Sequence, residues 1–124
     1  MNVIVIGGGA AGMMAAIASA RNDNNVTLIE KTSSLGNKVK ITGKGRCNIT
    51  FDGDIEDFEN NIINNNKFMY SSFMGFSNKD TVEYFNSLGL KTKVERGGRI
   101  FPQSDKAEDV VNLSLIHISE PTRH

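Results

Sequence analysis

The chain opens with two short apolar runs that flank a longer helix-forming stretch. Residues 3–6 (VIVI) are apolar and β-branched and too few for a helix, so they predict a buried parallel strand. Residues 10–20 are helix formers that are apolar on nearly every side, which predicts a buried helix. Residues 26–29 (VTLI) predict a second strand. This order predicts an α/β protein whose sheet begins with a parallel βαβ unit.

Beyond residue 51 the chain becomes more polar, and its pattern predicts helices. Asp54 is a suitable N-cap, and Phe58, Ile62 and Ile63 follow at helical spacing, which predicts one helix. The methionine and phenylalanine side chains at positions 68–76 predict a second short helix, and we interpret their apolar stripe as core.

A third helix is indicated more clearly. Ser77 is an N-cap residue, Asp80 complements the helix N-terminus, and Gly89 ends the helix. The predicted buried stripe consists of Val82, Phe85 and Leu88.

The next segment predicts a β-hairpin. Thr92–Glu95 and residues 99–101 predict two strands that turn at Gly97 and Gly98. Pro102 ends the second strand, and Ser104 caps a final helix. Glu95 and Arg99 either bind substrate or cofactor or pair across the strands, and we favour pairing.

Glycines between the first strand and helix indicate the chemistry. Gly7, Gly9 and Gly12 have G-x-G-x-x-G spacing, and Glu30 ends the second strand. Gly7 allows the tight turn, Gly9 lets a pyrophosphate approach, and Gly12 lets the helix lie close to the strand. Free N–H groups at the helix start bind phosphate, and Glu30 accepts hydrogen bonds from ribose hydroxyls. The alternative is a glycine-rich turn in an unrelated α/β protein. The predicted contacts at this turn are Gly7, Gly9, Ala10, Ala11 and Gly12.

The segment after Glu30 favours FAD over NAD as the dinucleotide. Nicotinamide enzymes with this fold usually enter another helix after the acid, whereas flavoproteins often return the chain along the cofactor as a loop. Such a loop needs glycines near the ligand and cations near the phosphates. The alternative is a solvated basic loop without ligand contacts. The glycines are Gly36, Gly43 and Gly45, and the cations are Lys38, Lys40, Lys44 and Arg46.

Two stretches carry a family resemblance. GNKVKITGKGRCNIT (residues 36–50) and GLKTKVERGGRIFPQSDKAEDVV (residues 89–111) resemble two signatures of a bacterial flavoprotein family, the BaiN-like or aminoacetone-oxidase-type NAD(P)/FAD-dependent oxidoreductases. Lys44 departs from the family pattern, in which glycine is commoner. The resemblance implies a truncated Rossmann-like FAD-binding domain with a helical and β-hairpin elaboration.

The resemblance also implies where the cofactor lies. Glu30 and Lys31 would contact the adenosine ribose, and residues 43–48 would lie beside the pyrophosphate and flavin. We interpret Cys47 as a small residue packed near the flavin, because a redox thiol would need a second cysteine or an activating histidine. The predicted contacts in this segment are Lys38, Thr42, Gly43, Gly45, Arg46, Cys47 and Asn48.

The last residues have a separate origin. LSLIHISEPTR (residues 113–123) resembles the in-frame translation of a transposase sequencing adapter, so both histidines, His117 and His124, are expected to lie in foreign sequence. The predicted segments are a Rossmann half with its glycine-rich loop (1–50), an elaboration of the same domain (51–112) and a non-native tail (113–124). A third parallel strand is expected outside this chain, which leaves a sheet edge open and predicts weak folding.

Composition limits the partners. Fourteen basic and fourteen acidic residues give no net charge, so neither nucleic acid nor a membrane is expected as a partner. The apolar runs are too short to span a bilayer, and a single cysteine fits a reducing cytoplasm. We expect no metal site.

The expected function is hydride transfer by FAD, with NAD(P)H as electron donor and an unidentified small molecule as substrate. No catalytic acid or base is assigned. The alternatives are an NAD-binding dehydrogenase, a flavin-dependent RNA-modifying enzyme, and an inactive nucleotide-binding fragment.

Overall fold

A computed structural model describes residues 1–119, with the backbone alone at Ser119. It divides into two compact units, of which the first comprises Met1–Cys47 and the segment from Lys106 onward, and the second comprises Asn48–Asp105. The elements of the first unit are β1 (Asn2–Ile6), α1 (Ala10–Arg21), β2 (Asn25–Ile29), α2 (Asn37–Ile41), a 3-10 turn (Thr42–Gly45) and, at the end of the chain, a helix at Ala107–Ser119.

The first unit contains a Rossmann-type β1–α1–β2 arrangement. The strands pair in parallel, with Val3 opposite Val26 and Ile6 opposite Ile29. Val3 and Val5 are half-buried, but Ile4 and Ile6 are 66% and 84% exposed. The prediction of a strand buried on both faces is therefore wrong for the described residues, because alternate side chains of β1 point away from the face that is covered.

Helix α1 is buried along one face. Met13, Ala16 and Ile17 are buried, whereas Ala15 and Ala18 are exposed. The expectation of a helix buried all round is wrong, because Ala15 and Ala18, although apolar, lie on the opposite side from the packed residues. The buried face contacts β2 and the helix Ala107–Ser119.

The second unit is a small three-stranded antiparallel sheet with helices. Its strands are β3 (Thr50–Phe51), β4 (Thr92–Glu95) and β5 (Arg99–Pro102), and they lie in the order β3–β5–β4. Strands β4 and β5 form the predicted hairpin, with Glu95 opposite Arg99. The helix Ala107–Ser119 of the first unit is α6, the last helix in chain order. The elements of the second unit are β3 (Thr50–Phe51), α3 (Ile55–Asn60), a 3-10 turn (Asn66–Met69), α4 (Tyr70–Gly75), α5 (Asn78–Ser87), β4 (Thr92–Glu95), a 3-10 turn (Arg96–Gly98) and β5 (Arg99–Pro102).

Helix α5 begins and ends as predicted. Ser77 and Asp80 form a capping box in which each side chain accepts the other residue's backbone N–H. At the other end, Leu90 N–H donates to the Phe85 carbonyl and Gly89 N–H donates to the Asn86 carbonyl, the two bonds of a Schellman motif.

Helix α3 is shorter than predicted. Asp54 caps it by accepting the Asp57 N–H, but the helix ends at Asn60. Ile63 is 95% exposed, so its helical spacing from Phe58 was misleading. Phe58 instead packs edge-on against Phe73, with ring centroids 4.5 Å apart.

The compact units differ from the predicted segments. The second unit begins at Asn48 and ends at Asp105, whereas the segment boundaries were placed after residues 50 and 112. Helix α6 crosses the predicted start of the foreign tail, and residues 120–124 lie outside the described part. Within residues 1–119, none of the helices has the length and apolar character that crossing a bilayer requires.

Candidate functional site

The β1–α1 turn is held tightly by Gly7 and Gly12. Gly7 N–H donates to the Ile29 carbonyl at the end of β2 (N···O 2.7 Å). A Cβ added to Gly12 would lie 1.8 Å from the Gly7 carbonyl oxygen. Only glycine therefore fits at position 12 without moving the turn, and the helix axis lies close to the end of β1 as a result.

The start of α1 is open. Gly9 is the N-cap residue and offers no side chain, and the first helical turn has no acidic residue. A Cβ added to Gly9 would meet no atom within 4 Å. The N–H groups of Ala10 and Ala11 belong to this first turn, where helical N–H groups carry partial positive charge. The turn therefore has the donors and the open space that an anionic group needs.

The Glu30 carboxylate lies beside this turn. Its Oε1 accepts the Gly8 N–H (2.9 Å), and its Oε2 accepts both the Thr32 N–H (2.7 Å) and the Thr32 hydroxyl (2.6 Å). The Thr32 side chain, the Gly8 and Thr32 amides and the nearby Lys31 together lower the pKa of Glu30 from 4.5 to about 2. Glu30 is thus a carboxylate at neutral pH, with its orientation held by hydrogen bonds.

The chain returns to the first turn immediately after Thr32. Gly36 N–H donates to the Gly8 carbonyl (2.7 Å), and the Leu35 side chain occupies the space where a Cβ at Gly8 would lie. Gly36 itself has a left-handed backbone (φ +69°) and lies against Val111 and Met13. The sequence alone predicted no ligand contact for Gly8, Thr32 or Leu35; the signal available was the middle glycine of the GGG run.

The predicted glycine-rich loop is partly helical. Lys38 and Lys40 lie in α2, not in a loop, because residues 37–41 make one short helical turn after Gly36. The 3-10 turn that follows has left-handed backbone at Gly43 and Lys44, and Gly45 also has positive φ. The cationic side chains are unevenly placed, since Lys31, Lys38 and Lys44 are exposed while Lys40 and Arg46 are half-buried.

Cys47 closes this segment. Its N–H donates to the Thr42 carbonyl (2.9 Å), its backbone is left-handed (φ +63°), and it is 6% exposed. Burial raises the pKa of the Cys47 thiol, against a smaller opposite effect of the Thr42 side chain. A buried thiol with a raised pKa is a weak nucleophile. The Cys47 side chain is therefore packed, and its position near a flavin stays a prediction.

The described structure brings only part of the predicted site together. Gly7, Gly9, Gly12 and Glu30 lie around one turn, and Gly8 links them to Gly36. Residues 42–47 belong to the same compact unit, but Asn48 begins the second unit. There the Asn48 amide, in the orientation that satisfies its neighbours, donates to the Thr50 and Ile100 carbonyls.

Metal ions in proteins are bound mostly by His, Cys, Asp and Glu side chains. Among residues 1–119, no three His, Cys, Asp or Glu side chains are grouped as metal ligands.

Several known proteins are similar in sequence to this chain. It matches the family model described as HI0933-like protein Rossmann domain over residues 1–122, an interval that extends into the predicted foreign tail. It is 40% identical over 119 residues to the 3-dehydro-bile acid delta(4,6)-reductase of Clostridium scindens, covering 88% of this chain and 26% of the reductase.

More distant relatives are two ribosomal RNA dihydrouridine synthases. Identity is 28% over 112 residues for the Escherichia coli protein, covering 90% of this chain and 27% of the synthase. Identity is 27% over 111 residues for the Haemophilus influenzae protein, covering 89% and 27%. The chain spans about a quarter of the length of these curated relatives.

Proposed function

We propose, because this chain belongs to the family of HI0933-like Rossmann-domain proteins, that it binds FAD as the N-terminal portion of a flavin-dependent oxidoreductase. One observation carries the proposal. The open, uncapped start of α1 lies next to the Glu30 carboxylate, and the two are joined through Gly8. This pairing of an anion site with a hydrogen-bond acceptor matches the diphosphate and ribose of an ADP group.

The residues at this turn fit an ADP group sterically. Gly9 leaves open the space that a Cβ would fill, so a phosphate oxygen can approach the backbone. Ala10 and Ala11 supply amide N–H groups to the phosphates, and Glu30 accepts a ribose hydroxyl. The negative charge of Glu30 repels a ribose 2′-phosphate, so the site selects an unphosphorylated ribose.

The segment of residues 42–47 is proposed to lie along the cofactor. Gly43 and Gly45 allow close approach, and Arg46 and Lys38 supply positive charge to the diphosphate. Thr42 and Cys47 stabilise the turn itself. The Thr42 hydroxyl donates to the Val39 carbonyl (2.8 Å), and the Cys47 N–H donates to the Thr42 carbonyl. FAD, when bound, supplies the hydride chemistry. NAD(P)H is the proposed donor.

The proposed substrate of the whole protein is a small organic molecule with a reducible double bond. The proposal is supported by the 40% identity to a reductase named for a bile acid. RNA is the second candidate, because two relatives are named as ribosomal RNA dihydrouridine synthases. Zero net charge weighs against RNA.

Calorimetric titration of the 124-residue chain with FAD tests cofactor binding. We expect FAD and ADP to bind and riboflavin to bind much more weakly, because the described contacts serve the ADP half. The control is Thr27→Val, a substitution at an exposed position of β2. This variant should bind FAD with the affinity of the wild type. No heat with FAD from a chain that circular dichroism shows to be folded would reject the proposal. Tighter binding of NAD than of FAD would favour the dehydrogenase alternative.

Titration with a ribosomal RNA fragment at increasing salt separates the two substrate classes. The small-molecule proposal expects weak RNA binding at 0.15 M salt. Tight binding that falls steeply with salt would favour RNA.

A further inference from the structure

The Glu30 carboxylate is almost fully engaged before any nucleotide arrives. A carboxylate has about four acceptor positions, two on each oxygen. The Thr32 N–H and hydroxyl take both positions on Oε2, and the Gly8 N–H takes one on Oε1. One position remains, yet a ribose offers two adjacent hydroxyl groups. A second ribose hydroxyl can bind only if one of the three donors withdraws.

Thr32 contains the donor that can withdraw. Its hydroxyl oxygen lies 2.6 Å from Glu30 Oε2 and 2.9 Å from the Ser34 carbonyl oxygen, but it has a single proton for these two acceptors. Rotation about the Cβ–Oγ1 bond moves the proton from the carboxylate to the carbonyl without moving a heavy atom. The two backbone donors, by contrast, are fixed.

The position of the Thr32 hydroxyl is itself held. Asn37 Nδ2–H donates to Thr32 Oγ1 (2.9 Å), and the Ser34 hydroxyl donates to Asn37 Oδ1 (2.6 Å). These bonds fix the orientation of the Asn37 side-chain amide. The O–H bond of Thr32 can still rotate. Lys31 is a positively charged neighbour of Glu30, and its side chain is exposed.

We propose that the Thr32 hydroxyl competes with the adenosine ribose for the Glu30 carboxylate. It donates to Oε2 in the free protein and turns its proton to the Ser34 carbonyl when a ribose hydroxyl binds at Oε2. The inference rests on the proposed binding of an ADP group. Because the charge-assisted bond to the carboxylate exists only in the free protein and is replaced by a weaker bond to a neutral carbonyl, it lowers the affinity for the nucleotide.

Thr32→Val and Thr32→Ser test the inference. Valine has the shape of threonine without the hydroxyl, so it removes the competing donor and should tighten FAD and ADP binding by about five- to tenfold. Serine keeps the hydroxyl and should leave affinity within about threefold of the wild type. Thr27→Val makes the same chemical change at an exposed position of β2 and should leave the affinity for FAD and ADP unchanged.

A second readout does not depend on the cofactor. Carbon NMR of the labelled Glu30 carboxyl should give a pKa near 2 in the wild type and a higher pKa in Thr32→Val, with Thr32→Ser close to the wild type. A general loss of structure would shift many carboxyl groups, whereas loss of this hydrogen bond shifts Glu30.

The outcomes are distinct. Binding of FAD by the wild type with equal or weaker binding by Thr32→Val overturns the inference and leaves the proposed function intact. Equal tightening in Thr32→Ser also overturns it, because loss of the hydroxyl would then not be the cause. Failure of the folded wild type to bind FAD or ADP rejects the proposed function, and the inference with it.

Discussion

Gly36 N–H donates to the Gly8 carbonyl oxygen at 2.7 Å, across 28 positions of the chain. The Gly8 N–H in turn donates to Glu30 Oε1. A single residue of the first turn is therefore bonded on one side to the Glu30 carboxylate and on the other to the returning chain. The β1–α1 turn and Glu30 thus form one connected structure, and a substitution in either should alter the other.

Gly9 and Gly12 are predicted to differ in their tolerance of the same substitution. Gly12→Ala should lower the free energy of unfolding by roughly 1–3 kcal/mol, because its Cβ would clash with the Gly7 carbonyl. Gly9→Ala should stay within about 1 kcal/mol of the wild type, because the space is open and φ is −80°. Urea titrations measure both.

The binding of FAD should distinguish these variants further. Gly9→Ala fills the space proposed for the diphosphate, so it should lose FAD affinity while remaining folded. Normal affinity in folded Gly9→Ala would mean that the diphosphate lies elsewhere.

Gly36 and Val111 are predicted to be energetically coupled. A Cβ at Gly36 would lie 2.8 Å from a Val111 methyl carbon, and φ is +69°, so Gly36→Ala should destabilise the chain by about 1–3 kcal/mol. Val111→Ala removes the clashing methyl groups but also loses buried apolar contacts.

A double-mutant cycle by urea titration measures that coupling. We expect Gly36→Ala with Val111→Ala to cost less than the sum of the single changes, because only the backbone strain remains. Simple additivity would show that α6 does not hold Gly36.

Glu30 is predicted to make stability depend on pH under acid conditions. Its pKa is about 2 in the folded chain against 4.5 ordinarily, so the folded state binds the proton less well than the unfolded state. The stabilisation is complete above about pH 4.5 and is lost as the pH falls through 2.

The measurement is the free energy of unfolding from pH 7 to the lowest pH at which the chain stays folded. Wild type should lose more stability than Glu30→Gln over this window, since glutamine cannot titrate. Parallel curves for the two proteins would contradict the hydrogen bonding of Glu30.

Cys47 is predicted to be protected from alkylation. Burial raises the pKa of its thiol, so little thiolate forms at pH 8 and the reagent has little access. Iodoacetamide labelling followed by mass spectrometry should be at least about tenfold slower in the folded chain than in urea. Equal rates would instead indicate an exposed, reactive thiol.

Residues 113–124 are proposed to be derived from the sequencing adapter. Amplification of the gene from its source with a primer upstream of codon 100 should give a reading frame that diverges from this sequence after Asn112 or Leu113. A genomic frame that continues through LSLIHISEPTR would show that the whole of α6 is native.

The parts that the sequence predicts well are local. The β1–α1–β2 unit, the Ser77 capping box and the β4–β5 hairpin each depend on residues within a few positions of one another or on a simple periodicity. The family assignment was likewise carried by short contiguous motifs. The failures concern Ile63, α2 and the exposed sides of β1 and α1, because periodicity and composition do not record what packs against a segment.

By itself, the sequence determined the glycine turn and the acid that follows β2, because steric fit and strand length act along the chain. Only the tertiary structure decided that Gly36 returns to Gly8 and that Thr32 engages Glu30. It also decided that Val111 packs on Gly36 from the far end of the chain. The physical reason is that these contacts depend on where distant segments pack, and side-chain periodicity records which face is apolar but not which partner covers it.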